Sequence, residues 1–358
     1  GIPTPLGVLA ETVDEVKAAV VEIGFPCVLK SQVLTGGRGK AGLIKVVTTE
    51  AEALAEAEKL FSSEHRVRTL LIEEAVDISR EIYVSVTADP VEAAALILAS
   101  ADGGVEIEVL AETNPEKIIR EFVDINSGLQ SYQATDIAYR LSSNPNEAKQ
   151  IQKIIMSLYK VFSRYDAELA EINPLFVTKR GVVTAGDGKL VIDENSMHRQ
   201  PDFERTREYY DSDMEFEAAQ EGIPYLQFDG DISLMCAGAG LTTTVYDLIN
   251  YEGGTVANYL EFGGPNYRKA VRAMELCLRN DSKVILIVTF GTIARADVMA
   301  EGIVDAIRRL RPNRPIVACI RGTNEEEAVK ILKKAGLDPL FDTEEAVRKA
   351  VELCRTGE

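Results

Sequence analysis

Basic residues and glycines lie close together near the start of the chain, in a pattern that suits phosphate binding. Lys30 ends a short apolar run that begins at Pro26, and a Gly-Gly-Arg-Gly-Lys segment follows at residues 36–40. Glycines let backbone N–H groups approach phosphate oxygens, and the Lys and Arg side chains supply positive charge. The segment lacks the spacing of a Walker A motif. On these residues alone, a phosphate site and a flexible basic turn are both open.

An amide and a carboxylate further along the chain could hold a metal ion. Asn173 lies in a Glu-Ile-Asn-Pro-Leu segment, and Asp187 begins an Asp-Gly-Lys segment. Two short strands joined by a turn at residues 179–181 would bring the two side chains face to face. Hard oxygen ligands with open positions suit Mg²⁺ that bridges nucleotide phosphates. Asn-Pro and Asp-Gly are also common turn dipeptides, so the residues alone favour two ordinary turns.

Two acidic residues and two strand-to-helix turns are further candidates for ligand contact. Glu73 and Glu81 flank a short link and could accept hydrogen bonds from a ribose or an adenine, although a solvated turn is the alternative. Glycine-containing turns at residues 238–240 and 291–294 precede predicted helices. Free N–H groups and the positive end of a helix dipole can bind a carboxylate or phosphate without any Lys or Arg. Tight packing is the alternative for both turns.

Composition limits the classes of function. The length of 358 residues suggests two or three domains, and the net charge of -18 disfavours nucleic acid and anionic membranes as partners. No apolar run is long enough to span a bilayer. The five cysteines are scattered and form no CxxC, which indicates neither a zinc site nor a disulfide framework, so we expect a cytoplasmic protein. Only His65 and His198 occur, which argues against a histidine dyad.

The pattern of elements predicts an α/β fold. The first half mixes strands with Ala/Glu-rich helices, and a long amphipathic helix is predicted after Asn144, with Pro145 in its first turn. In the second half, strand and helix alternate, which predicts a doubly wound parallel sheet whose ligands lie beyond the carboxyl ends of the strands. The predicted strands there are Ile232–Cys236, Val256–Leu260, Val284–Thr289, Ile316–Ile320 and Pro339–Phe341. The predicted helices are Thr242–Asn250, Tyr267–Leu278, Ala294–Leu310, Glu325–Ala335 (with a capping box at Thr323 and Glu326) and Glu344–Cys354.

Several segments, taken in order, resemble the β subunit of succinyl-CoA synthetase (succinate–CoA ligase). They are KSQVLTGGRGKAG, EEAVDISREIYV, GGVEIE, EINPLFVTK, DGKL and RQPD, and alignable motifs cover nearly the whole chain. The resemblance implies an ATP-grasp nucleotide-binding domain over residues 1–212, with a subdomain division near 75–85. A flavodoxin-like, doubly wound parallel-sheet CoA-ligase domain over residues 213–358 would follow. Chains of this family begin upstream of Gly1, so we expect a further N-terminal segment.

The resemblance also implies roles for residues at matching motif positions. The implied nucleotide contacts are Lys30, Gly37, Arg38, Gly39, Glu73, Val76 (through its backbone) and Glu81. Asn173 and Asp187 would bind Mg²⁺, and Glu171 would lie beside a phosphohistidine. In the family that histidine belongs to an α-type CoA-ligase subunit, which also carries most of the CoA site. We therefore expect such a subunit as the partner.

The implied activity is that of an ATP-dependent, ADP-forming acid–CoA ligase that works only with its partner. It would act through an acyl phosphate and the phosphohistidine. A non-catalytic ATP-grasp binding subunit is the alternative from another class. The intact set of Lys30, Arg38, Asn173 and Asp187 argues against that alternative.

The predicted acid-binding face departs from the succinate pattern. Ala237 stands where the family has Asn. Gly-Thr-Ile-Ala at residues 291–294 and Glu-Phe-Gly-Gly-Pro at residues 261–265 also differ from the family pattern. The predicted substrate contacts are Ala237, Thr292, Ile293 and Ala294. The residues at these positions resemble those of ATP-citrate lyase. Ala in place of Asn removes hydrogen-bonding groups and adds space. We expect succinate, and hence a place in the tricarboxylic acid cycle. The large subunit of a citryl-CoA synthetase is the alternative, and a malate–CoA ligase is a third candidate.

Overall fold

The computed structural model describes residues 1–34, 37–104, 107–262, 269–292 and 294–356. The chain folds into two compact units, residues 1–204 and residues 205–358. Both units combine helices with strands, which confirms the predicted α/β class. The expected boundary between residues 212 and 213 stays a prediction.

The first unit contains two antiparallel sheets. Its strands are β1 (Gly7–Ala10), β2 (Cys27–Ser31), β3 (Ile44–Val47), β4 (Leu70–Glu74), β5 (Ile78–Asp89), β6 (Ala94–Ser100), β7 (Ile119–Val123), β8 (Ala167–Thr178), β9 (Val183–Ala185) and β10 (Lys189–Ile192). The first sheet has the order β1-β4-β2-β3. The second has the order β10-β8-β5-β6-β7, with β9 paired to β8. The chain passes from the first sheet to the second between β4 and β5.

Helices cover one face of each sheet in the first unit. They are α1 (Val13–Ile23), α2 (Glu50–Phe61), α3 (Ile107–Thr113), α4 (Ser131–Leu141) and α5 (Pro145–Arg164), with 3₁₀ turns at Pro115–Lys117 and Glu194–Arg199. Leu29 and Ile72 of the first sheet are buried in one core with Val16 of α1 and Ala53 of α2. Because side chains alternate along a strand, Lys30 of β2 and Glu73 of β4 lie on the opposite face.

The helix α5 begins where its sequence predicts. The Asn144 side chain accepts hydrogen bonds from the N–H groups of Asn146 at 2.9 Å and Glu147 at 3.5 Å, and Pro145 occupies the first turn. This cap satisfies two N–H groups that have no partner within the helix. The buried stripe of α5, which includes Ile151 and Ile155, packs on the second sheet.

The second unit is a doubly wound sheet. Its strands are β11 (Tyr225–Gln227), β12 (Ile232–Cys236), β13 (Val256–Leu260), β14 (Val284–Gly291) and β15 (Ile316–Gly322). Its helices are α6 (Asp213–Gln220), α7 (Ala239–Tyr251), α8 (Ala270–Arg279), α9 (Ala296–Leu310), α10 (Glu325–Lys334) and α11 (Thr343–Thr356), with a 3₁₀ turn at Arg207–Tyr209. The order is β11-β13-β12-β14-β15, and β12 to β15 are parallel. Buried cores on the two faces hold Ile285 and Ile287 on one side and Leu286 and Val288 on the other.

Two predictions in the second unit are wrong, and one strand was not predicted. Residues 339–341 form no strand but a single bridge between Cys319 and Leu340, and the antiparallel edge strand β11 was not predicted. The expected capping box of Thr323 and Glu326 is wrong, because Asn324, at a φ of 65°, is the residue before α10. The Thr323 N–H instead donates to the Gly291 carbonyl at the end of β14, and the Thr323 carbonyl accepts from the Ala296 N–H at the start of α9. Glu325 accepts from the Gly322 N–H at 3.1 Å. The predicted start of α8 at Tyr267 lies outside the described residues.

Candidate functional site

A cavity of about 340 Å³ lies in the first unit and is lined by residues of both sheets. Lys30 and Glu73 come from the first sheet, and Glu171 and Asp187 come from β8 and the turn after β9. Arg38 reaches the cavity from the turn that follows β2. The structure therefore brings together five of the predicted site residues. Apolar side chains of α5 and β10, among them Leu158, Val161 and Leu190, form another part of the lining.

Lys30 is held between two acceptors in the wall of the cavity. Its ammonium forms an ion pair with the Glu73 carboxylate and donates to the Gly186 carbonyl at 2.6 Å. The side chains of Lys30 and Glu73 are only 11% and 8% exposed. Burial raises the pKa of Glu73, and the hydrogen bond from Lys30 partly offsets this rise. The pair thus places a desolvated cation where an anion could approach.

Arg38 reaches across the cavity to Asp187. Its Nη2 lies 2.5 Å from each oxygen of the Asp187 carboxylate, and its Nη1 donates to the Ser31 carbonyl at 3.0 Å. The turn that presents Arg38 closes through a hydrogen bond from the Ala41 N–H to the Gly37 carbonyl. Gly37 has a φ of 72°, which favours glycine, and both Gly37 and Gly39 are exposed. The cation and the carboxylate are partners in this arrangement.

The expected hairpin around Asp187 is present. Gly181 closes the turn, with a φ of 74° and a hydrogen bond from its N–H to the Thr178 carbonyl at 2.9 Å. β8 and β9 pair in antiparallel register, and the Gly186 N–H donates to the Pro174 carbonyl at 2.9 Å. Leu175 of β8 pairs with Ala185 of β9. Asn173 lies two residues before Leu175, and Asp187 lies two residues after Ala185. The Asn173 side chain accepts from the Gly104 N–H at 2.9 Å and is not among the residues that line the cavity.

Two other predicted nucleotide contacts, Val76 and Glu81, lie outside the cavity lining. Val76 is half-buried in the link between β4 and β5. The Glu81 carbonyl accepts from the Gly103 N–H at 3.0 Å, so Glu81 and Asn173 both contact the segment at residues 103–104. Neither Val76 nor Glu81 lines the cavity.

A buried hydroxyl network that the sequence analysis missed supports Glu171. The Tyr83 hydroxyl lies 2.8 Å from Glu171 Oε2 and 3.0 Å from the Ser85 hydroxyl. Tyr83 is 2% exposed and Ser85 is fully buried. The sequence carried one signal for this network: Tyr83 and Ser85 are polar residues two positions apart among apolar neighbours. Residues at this spacing on a strand face the same side of the sheet.

The predicted substrate residues of the second unit lie at the carboxyl edge of its sheet. Ala237 follows β12, where its N–H donates to the Val288 carbonyl at 3.0 Å, and α7 begins two residues later. Thr292 is exposed and Ala294 is half-buried in the turn between β14 and α9. Ile293 lies outside the described residues, as do residues 263–265 of the Glu-Phe-Gly-Gly-Pro segment. The neighbouring strands β12 and β14 place Ala237 beside this turn.

An ionic cluster at the same edge was not predicted. Arg295 donates to both carboxylate oxygens of Asp297, at 3.1 Å and 2.6 Å, and the Asn324 side chain donates to Asp297 at 3.2 Å. The hydrogen bonds from Arg295 lower the pKa of Asp297 to about 2. Arg295 itself is half-exposed, so this edge carries a cation as well as helix N-termini.

Comparison with known proteins gives the family. A family model described as an ATP-grasp domain matches residues 1–177, and one described as CoA-ligase matches residues 235–353. A subunit of an ADP-forming sulfoacetate–CoA ligase from Bilophila wadsworthia is 63% identical, over 99% of this chain and 95% of the relative. The β subunit of an ADP-forming succinate–CoA ligase from Ignicoccus hospitalis is 44% identical, over 100% of this chain and 96% of the relative. The chain belongs to the family of β-type subunits of ADP-forming CoA ligases.

The fold of this ligase subunit is shared with a solved structure. ATP citrate lyase from Methanothrix soehngenii, in complex with citrate and coenzyme A, matches it with a TM-score of 0.77 at 21% identity, over 97% of this chain and 92% of the other. The order of an ATP-grasp domain before a CoA-ligase domain is confirmed, and so is membership of the acid–thiol ligases. Within the described residues, none of the helices combines the length and apolar character that a membrane span requires.

Proposed function

We propose that this subunit binds ATP with Mg²⁺ in the cavity of its first unit and serves an ADP-forming ligase that joins sulfoacetate to CoA. The observation that carries the choice of acid is the order of similarity. Subunits of sulfoacetate–CoA ligases from Bilophila wadsworthia and an Acholeplasma species are 63% and 62% identical to this chain, whereas the succinate–CoA ligase subunit of Ignicoccus hospitalis is 44% identical. Succinate becomes the second candidate, and the link to the tricarboxylic acid cycle is no longer preferred.

Local charge supports the nucleotide part of the proposal. The chain carries a net charge of -18, so an anionic ligand needs cations at the site itself. Lys30 and Arg38 supply two, and both are held by neighbouring groups in the cavity wall. Oriented cations in a largely desolvated site stabilise the charge that develops on a transferred phosphoryl group without further reorganisation.

The donor chemistry around β8 and β9 fits Mg²⁺. Asn173 lies in β8, and Asp187 comes two residues after β9, which pairs with β8. The Asp187 carboxylate and the Asn173 amide both offer hard oxygen donors. Among the described residues there is no group of three or more His, Cys, Asp or Glu side chains that could hold a metal ion. Mg²⁺ bound with nucleotides usually takes one or two protein oxygens and completes its shell with phosphates and water. When bound, it would neutralise the phosphates, and Asp187 and Asn173 would hold it.

A partner subunit is required for the phosphoryl acceptor. The two histidines of the chain, His65 and His198, are exposed, and neither lines the cavity. We therefore assign the acceptor to an α-type subunit, with Glu171 beside its histidine. The γ-phosphoryl group of ATP would move to that histidine, leaving ADP, and then to the carboxylate of the acid. The thiol of CoA would displace phosphate from the acyl phosphate to give the thioester.

The acid would bind at the carboxyl edge of the second sheet. A sulfonate is tetrahedral with three oxygens and needs more room than a carboxylate. Ala237 is a small, half-buried residue two positions before the start of α7, and the N-terminus of that helix favours anions. An amide side chain at this position would fill part of the space. We therefore assign Ala237, Thr292, Ile293 and Ala294 to the acid site.

A substrate panel tests the choice of acid. The purified complex with its partner is assayed for ADP release with sulfoacetate, succinate, citrate and malate. Sulfoacetate should give the highest kcat/KM, and Ala237→Asn should lower that value while it spares or raises the value for succinate. Thr244→Asn, which adds the same amide to an exposed position of α7, is the matched control. A preference for succinate in the wild-type complex would refute the assignment.

ATP binding is tested separately. Isothermal titration of the chain with Mg·ATP should give saturable binding that Asp187→Ala weakens. Absence of binding would leave only a non-catalytic ATP-grasp subunit.

The five cysteines are free, which is consistent with a reducing compartment, and a cytoplasmic location stays a prediction.

A further inference from the structure

Tyr83 contacts a carboxylate that lines the nucleotide cavity. Its ring is 2% exposed, and its hydroxyl lies 2.8 Å from Glu171 Oε2. The second polar neighbour of the Tyr83 hydroxyl is the Ser85 hydroxyl, 3.0 Å away. A tyrosine hydroxyl has a single proton, so donation to Glu171 leaves Ser85 to donate to the tyrosine oxygen. This assignment gives each of the two hydroxyl protons an acceptor.

Strand geometry places Tyr83 at this distance. Ser85 of β5 lies directly opposite Glu171 of β8. The register then shifts, since Val84 pairs with Ile172 but Ile82 pairs with Leu175. Residues 173–174 therefore face one residue of β5, Tyr83, which is the two-against-one arrangement of a β-bulge. Bulges commonly redirect side chains beside active sites, and here the bulge puts a buried hydroxyl next to the Glu171 carboxylate.

The surroundings keep Tyr83 a hydrogen-bond donor. Burial raises the pKa of its phenol, and the neighbouring Glu171 carboxylate raises it further, so the hydroxyl stays protonated at neutral pH. A bond from a neutral donor to a carboxylate is stronger than one between neutral groups. With Oε2 held in this way, the rotation of the Glu171 side chain is restricted and its other oxygen remains for the cavity.

We infer that Tyr83 is a positioning residue for Glu171, which it holds in the orientation that meets the phosphorylated histidine of the partner subunit. The inference rests on the proposed function, because it needs Glu171 to act in phosphoryl transfer. Ser85 orients the tyrosine hydroxyl and has a weaker, indirect effect. Neither residue lines the cavity itself.

A double-mutant cycle tests this role in the complex with the partner. Tyr83→Phe keeps the buried ring and removes only the hydroxyl. It should lower kcat, and the single-turnover rate of partner phosphorylation from ATP, by about tenfold, the usual effect of losing one hydrogen bond to a charged group. The KM for ATP should change less than twofold. In the Glu171→Gln background, the same substitution should cause no further loss, because its effect passes through the carboxylate.

The outcomes separate the inference from the proposed function. Ser85→Ala is the matched control and should cost less than Tyr83→Phe, with unfolding temperatures recorded for all variants. Equal losses from Tyr83→Phe in both backgrounds would indicate a structural role and overturn the inference. Normal phosphorylation in Tyr83→Phe, with Glu171→Gln inactive, would overturn the inference alone. Full activity of Glu171→Gln would overturn the role of Glu171 and, with it, that of Tyr83.

Discussion

At the scale of single residues, the Lys30 ammonium and the Glu73 carboxylate form a buried ion pair, and each group depends on the other. Lys30→Ala should therefore destabilise the first unit by about 3 kcal/mol, since removal of one member leaves an uncompensated buried charge. Urea denaturation measures the change in the free energy of unfolding. The double variant Lys30→Met/Glu73→Gln should recover most of the stability, because it removes both charges, but should not recover nucleotide binding.

An exposed ion pair is the control for this prediction. Lys45 lies 4.0 Å from Glu56 and is 40% exposed, so Lys45→Met should change the stability by less than about 0.5 kcal/mol. If Lys30→Ala were as mild as Lys45→Met, the pair in the cavity wall would not be buried as described.

Arg38 and Asp187 form an ion pair in the cavity and neutralise each other. Phosphate would need Arg38 and Mg²⁺ would need Asp187, so binding of the nucleotide with its metal exchanges this ion pair for two new ones. Asp187→Asn should therefore raise the affinity for ATP in the presence of EDTA by about a few-fold. This is the size of effect expected when one partly exposed ion pair no longer has to be broken. It should lower the affinity in the presence of Mg²⁺.

Isothermal titration with and without Mg²⁺ measures both effects. Asp102→Asn makes the same charge change at an exposed ion pair with Lys117 and should leave both affinities unchanged. An Asp187→Asn variant that loses affinity equally in EDTA and in Mg²⁺ would contradict the exchange.

At the scale of elements, α6 is attached to α8 by an ionic cluster. Arg279 and Arg272 donate to the Glu217 carboxylate at distances of 2.5 Å to 3.1 Å. The hydrogen bonds from Arg279 and then Arg272 lower the pKa of Glu217 to about 2. A carboxyl whose folded pKa lies below its unfolded value stabilises the fold above the unfolded pKa, and that contribution disappears as the pH falls through the folded pKa.

The resulting prediction concerns the pH window below the ordinary glutamate pKa. Glu217→Gln should lower the unfolding temperature of the second unit at pH 7, and the difference from wild type should shrink as the pH falls from about 4.3 towards 2. Calorimetry at several pH values measures it. Asp281→Asn, which removes a carboxylate from an exposed position of the same unit, is the matched control. A difference for Glu217→Gln that stayed constant down to pH 2.5 would contradict the lowered pKa.

Local signals predicted elements well, and long-range contacts explain what they missed. Asn144 and Pro145 fix the start of α5, and the apolar runs at β12 and β13 give those strands with their observed bounds, because capping and burial act within a few residues. Asn324 before α10 could not be predicted, since its left-handed backbone depends on hydrogen bonds between turns far apart in sequence. The same holds for the bulge that places Tyr83 beside Glu171.

The candidate site follows the same division. Residue types and the family resemblance indicated Lys30, Arg38 and Asp187, and the structure places all three around one cavity. Their partners were not foreseeable, because Arg38 pairs with a carboxylate 149 positions away and Lys30 with a carbonyl 156 positions away. Such pairings depend on how two sheets of the same unit face each other, which no local pattern encodes.

At the scale of the whole molecule, the proposed function divides the ligand-binding groups between the two units and a partner chain. The isolated chain should therefore bind Mg·ATP yet release no ADP when acid and CoA are added, since it has no histidine at the cavity. At a concentration 100 times its dissociation constant, Mg·ATP should stabilise the first unit by about 2.7 kcal/mol. For a unit of this size, that corresponds to an unfolding temperature raised by roughly 5–10 °C.

Differential scanning calorimetry of the isolated chain, with and without Mg·ATP, measures this stabilisation, and a coupled assay for ADP measures turnover before and after the partner is added. Asp187→Asn should remove most of the shift, because Mg²⁺ loses its charged ligand. Glu217→Gln, which alters the second unit alone, should retain it. ADP release by the isolated chain at the rate of the complex would refute the need for a partner. A shift that survived Asp187→Asn would instead move the nucleotide site away from the cavity, because the charged contact proposed for the metal is made there.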